Sequence, residues 1–141
     1  MVAFVKYNSF VLELGLGGHN LNTGVLKVAL TNTAPAAADT VWSTGVYPEP
    51  TNIGGYTTGG ITITGLTYTQ TGGLGKLVTT FNPLWTASGA GIGPFRYVIL
   101  YNSTASNKLI GNYDYGSSIT VAATETFTVD FDDANGVLTI Q

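Results

Sequence analysis

The chain has 141 residues, 44% of them hydrophobic and only 9% charged, with a formal net charge of −3 and no cysteine. That length suits one domain, residues 1–141, with a two-layer core. Five basic residues spread along the chain form no cluster able to neutralise a phosphate backbone, which argues against nucleic acid as a partner. The missing cysteines remove disulfides, thiolate chemistry and Cys-type zinc sites.

Ordinary domains carry roughly a quarter charged residues. Here Thr, Ser, Asn and Gly fill the deficit, so the surface is neutral and polar and has little electrostatic protection against edge pairing. Either the chain is a compact Thr-rich β-domain, or much of this surface is covered by other subunits; the second reading is preferred. Lys6, Asn8 and Glu13 interrupt any apolar core of a signal peptide. No run approaches the roughly 20 apolar residues of a membrane span, so no membrane association is expected.

Near the N-terminus, Phe4, Tyr7, Val11 and Leu14 recur at helical spacing and Gly15 suits a C-cap, which predicts a short helix on one side or end of the domain. The same residues also partly fit strand alternation. Gly15–Gly24 reads as a turn-rich connector. Val25–Thr31 is a strand with Leu26, Val28 and Leu30 facing the core. Ala36–Gly60 follows as a long irregular stretch containing Trp42, Tyr47 and Tyr56. Loops of that length usually bind or contact something. Two uses stand side by side: these three aromatics meet a neighbouring subunit, or the loop folds back and buries them. On the first, Trp42→Ala would empty an interface and spare the fold; on the second, it would unfold the subunit.

Ile61–Thr69 alternates at first, and Gly65 suggests a bulge that re-phases Leu66 and Tyr68. Gly72-Gly73 breaks the strand, Lys76–Phe81 is the next, and Asn82-Pro83 and Thr86–Gly93 are loop with Trp85 between them. Phe95–Tyr101 and Lys108–Tyr115 form the central pair, joined through Asn102–Asn107. Alternation sends Phe95, Tyr97, Ile99 and Tyr101 to one face and Arg96, Val98 and Leu100 to the other. Ser117–Ala122 and Thr126–Phe131 are short strands. Asn135-Gly136 marks a type I′ hairpin tip joining Thr126–Phe131 to Val137–Ile140. Altogether the pattern predicts an all-β antiparallel sandwich or jelly roll of about eight strands, with a short N-terminal helix.

Reactive chemistry finds little footing. His19 is the sole histidine and sits in a Gly/Asn-rich turn with no nucleophile or ligand motif beside it. Asp130, Asp132 and Asp133 before Asn135-Gly136 resemble a calcium loop, but the ligand spacing fails and a tight acidic turn fits better. Gly89–Gly93 lacks the helix that a phosphate cradle needs. Glu13, Glu49 and Glu125 lie apart with no glycosidase pattern. No catalytic residue, cofactor site or metal ligand is assigned, and the chain is read as a non-enzyme. The tyrosines and tryptophans could stack on sugars, although core and interface are the commoner uses of aromatics.

Lys27–Pro35 (KVALTNTAP), Ile92–Asn102 (IGPFRYVILYN), Leu109–Ser118 (LIGNYDYGSS) and Thr126–Asp132 (TFTVDFD), with Asn135–Leu138 after them, resemble a family of small tailed-bacteriophage virion proteins. Residues 36–75 match it least. The family comprises capsid cement, or decoration, proteins, jelly rolls that bind the outside of the phage head. The resemblance implies a virion location on the capsid surface, the major capsid protein as partner, and a homo-oligomer, a dimer by preference. It also makes Trp42, Tyr47 and Tyr56 candidate interface residues. The alternative is a tail- or fibre-associated module that binds host glycans.

Overall fold

The computed structural model describes residues 2–132 and 134–141. Ten strands and one short α-helix follow in order: β1 (Phe4–Lys6), α1 (Asn8–Gly15), β2 (Leu26–Thr31), β3 (Ile61–Thr62), β4 (Thr67–Thr71), β5 (Leu74–Val78), β6 (Leu84–Thr86), β7 (Ile92–Asn102), β8 (Lys108–Val121), β9 (Thr126–Thr128) and β10 (Leu138–Ile140). They form antiparallel sheets of five strands (β1-β8-β7-β2-β3), three (β10-β5-β4) and two (β6-β9). The predicted antiparallel sandwich is what the chain builds.

The central pair forms as expected from its β-branched and aromatic run. Asn102 closes it: its Oδ1 accepts from the backbone N–H groups of Thr104 and Ala105, capping a 3₁₀ turn at Ser103–Ala105. Ser106 and Asn107 then take positive φ and turn the chain into β8. The face assignment needs one correction. Tyr97, Ile99 and Tyr101 do share a face, but Phe95 lies in the opposite core with Val98 and Leu100. Pairing slips between Phe95, opposite Ile119, and Tyr97, opposite Asp114, so alternation counted along β7 fails there.

Both faces of the five-stranded sheet are covered. The main core joins Leu26, Val28, Leu30, Leu100 and Ile110 to Leu77, Leu138 and Trp85 of the two smaller sheets, and to Val129 just past β9. A second core on the far face gathers Tyr7, Ala29, Trp42, Tyr47, Ile99, Tyr101 and Leu109.

Other expectations shift in detail. Phe4–Lys6 is strand, and the helix begins only at Asn8. It ends through Gly17, whose φ of +75° lets its N–H reach Leu14, so the left-handed residue lies two positions past the predicted Gly15. Gly65, φ +65°, is a corner between sheets, separating β3 of one from β4 of another. Gly72 and Gly73, both at positive φ, form the two-residue turn of the β4–β5 hairpin. Trp85 lies on a strand, β6, that the surrounding Pro and Gly obscure. Of the predicted strand Ser117–Ala122, all but Ala122 continues β8. Asn135-Gly136 does turn the chain, since Gly136 N–H donates to Asp132 C=O at 2.6 Å. It does not tip a hairpin, however: β9 pairs with β6 and β10 with β5.

Candidate interaction surface

The long segment 36–60 contains no strand or helix, yet it is tied down along its length. Strand β3 is only two residues long, so it leaves the upper edge of β2 without a partner. The segment fills that gap: Leu30 N–H donates to the Tyr56 hydroxyl at 3.1 Å, and the Thr31 hydroxyl donates to Pro48 C=O at 2.7 Å. The Tyr56 hydroxyl in turn donates to Glu49, whose carboxylate also accepts from Gly59 N–H. Tyr47 donates to Asp39 and accepts from Tyr7 at 3.2 Å. Burial pushes the Tyr7 phenol up to about 12 and raises those of Tyr47 and Tyr56 further, with their carboxylate partners adding to it. These hydroxyls act as donors in the cores.

Trp42 stacks flat on Tyr101, ring centroids 4.5 Å apart, and Tyr56 stacks beside Trp85. The rings of Trp42, Tyr47 and Tyr56 are buried within the chain. Expected as interface residues, they turn inward here: the loop packs its aromatics on its own sheet. What it leaves outside is Val41, Val46 and Ile53, which no motif singled out.

Several acidic and basic residues are likewise paired. Arg96 and Asp114 pair side by side at 2.7 and 2.8 Å, which holds the Asp114 carboxyl below its ordinary range. Asp132 accepts from the N–H groups of Ala134 and Asn135, and Asp130 from the Asn82 amide. The tight acidic turn is thus seen at Asp132; Asp133 lies outside the described residues. Among the described residues, no three metal-binding side chains converge. His19 is buried against Phe10 and beside Asn102, so burial lowers its basicity.

Three features face outward. The first is α1. Phe10 and Leu14, four residues apart, turn to the core, while Leu12 (61% exposed) and the C-cap Leu16 (72%), also four apart, lie opposite, with Val11 exposed on the flank between. A helix apolar on both sides is built to be covered on both. The second is the outer edge of β4. The third is a groove of about 760 Å³ beside β1 and β8, lined by Phe4, Tyr113, Phe131 and Val137 together with Asp130 and half-exposed Tyr115.

Only α1 was foreseen, and only as a helix. Its outward apolar side is legible in Leu12 and Leu16, four residues apart, whereas Val11, expected on the same face as Leu14, is exposed. No family model, curated protein or solved structure matches the chain.

Proposed function

We propose that this protein is a structural virion component that binds the outside of a tailed-phage capsid and bridges major capsid protein subunits. The observation that carries the reading is the exposed apolar arc of α1, on a surface with few charges. Monomeric proteins rarely leave such residues grouped in the open, and grouped ones mark contact sites. The resemblance supplies the identity of the partner. Its matched segments supply β2, β7, β8 and β9, which form the scaffold, whereas α1 and segment 36–60 lie largely outside them. On a lattice, many copies of a modest contact suffice, because neighbouring sites raise the effective concentration.

Imaging particles assembled with the wild-type chain or with Leu12→Glu/Leu16→Glu tests this. Density is expected over the shell with the first and absent with the second, while both chains give the same β-type circular dichroism. Density at the tail, or shell density unaffected by the double substitution, would reject the reading. A glycan-binding module is the second reading, favoured by the exposed Tyr115 in the groove lining. Binding on a glycan array, lost in Tyr115→Ala, would support it.

A further inference from the structure

We infer that β4 is a self-association edge: two copies of this chain pair antiparallel through Thr67–Thr71 about a two-fold axis at Thr69. The inference rests on strand geometry and goes beyond the capsid reading.

Strand β4 (TYTQT) is the outermost of its sheet, and all five residues are exposed, so both faces are open to solvent. Which backbone groups point outward follows from two observations. The two-residue Gly72-Gly73 turn makes Thr71 and Leu74 a hydrogen-bonded pair, so Thr69 and Thr67 also bond inward to β5. Consistent with that, Tyr68 N–H points away from β5 and donates to the Asn22 side chain at 3.3 Å. Gln70 has the parity of Tyr68, so its N–H and C=O face outward too.

Other edges are blunted. Strand β1 is three residues long and carries Lys6, β3 is two residues long and β10 three. Strand β4 has neither a charge, a proline nor a bulge, three of the devices by which natural sheets discourage edge pairing, and the Asn22 side chain meets its outer edge only at Tyr68 N–H. Its sequence also fits itself. With the axis at Thr69, Tyr68 of each copy lies opposite Gln70 of the other. Four backbone hydrogen bonds can then form between outward groups, one of them replacing the bond to Asn22 in each copy. Thr69 meets Thr69 of the second copy at the axis, and no charged pair is brought together.

Sedimentation equilibrium of the purified full chain over a wide concentration range is the test, with circular dichroism on every variant. Wild type is expected to associate reversibly to a dimer. Thr69→Lys and Thr69→Glu each place like charges face to face at the axis and should weaken association about tenfold or more. An equimolar mixture of the two should restore it, since Lys then faces Glu. Gln70→Pro removes an outward N–H but no bond to β5, and should also dissociate the dimer. A wild-type chain that stays monomeric throughout would overturn the inference. So would a dimer indifferent to all three substitutions, or charge variants that fail to recover on mixing.

Discussion

Trp42 shows best what the long segment is for. Its indole lies flat on Tyr101, while its Nε1 finds no acceptor among the described residues. Truncation to alanine empties the second core, and Trp42→Ala is expected to cost about 3–5 kcal/mol in urea unfolding. Trp42→Phe keeps a stacked ring and deletes an unpartnered N–H, so its cost should stay below about 2 kcal/mol. Equal losses in the two variants would show that the indole nitrogen has a partner after all, and no loss in either would place the ring outside the core. A composition of Trp and Tyr in a glycine-rich loop looks the same whether the rings face a neighbour or the loop's own sheet. What decides is tertiary: Tyr56 and Pro48 take the edge of β2 that the two-residue β3 leaves unpaired, and Trp42 is held at the end of the β7–β8 pair through Asn107 C=O, neither of which the residues of the loop reveal.

At the scale of elements, α1 and the turn after it are docked through His19. The ring packs on Phe10 from α1, with Asn102 from β7 beside it, and the Glu13–Lys108 pair joins α1 to β8 nearby. Burial lowers the pKa of His19 from its ordinary 6.5; Glu13 opposes the shift and Lys108 reinforces it. The unfolded chain therefore takes up a proton near pH 6.5 while the folded chain remains neutral. The stability this provides is complete above about pH 7 and drains away as pH falls through 6.5 toward the lower folded value. The urea midpoint is expected to be flat from about pH 7 to 8 and to fall between about pH 6.5 and 5, with His19→Asn removing most of that fall. A fall of the same size in His19→Asn would assign it to another group. The helix itself was legible from its spacing, but its start was not, because Phe4–Lys6 is held as strand by pairing with Tyr113, Asn112 and Gly111, over a hundred positions on.

For the molecule as a whole, alternation and turn residues were enough to read an antiparallel sandwich and its central pair. They were not enough to say which strands meet. Asn135-Gly136 looks like a hairpin tip because local sequence reports a reversal of direction, whereas β9 and β10 diverge to different sheets through tertiary packing. Phe95 changes face for a similar reason, since the slip in register arises between β7 and β8 and leaves no mark in either strand alone. The surface was legible in its neutrality but not in its layout: which apolar residues stay outside depends on which the two cores have already taken.

The pairing of β2 with β7 has a consequence for the chain while it is still being made. Leu26 lies opposite Asn102 and Thr31 opposite Tyr97, so one flank of the principal sheet emerges long before its mate. At about 5–20 residues per second, the earlier strand waits several seconds with its apolar face uncovered. Ribosome-bound chains stopped before residue 92 are expected to be cut readily by added protease, and chains carried past residue 121 beyond the exit tunnel to resist it. Resistance in the shorter chains would mean that the first ninety residues hold together unaided. Otherwise the newborn chain depends on chaperones or on sheer speed until its second half arrives.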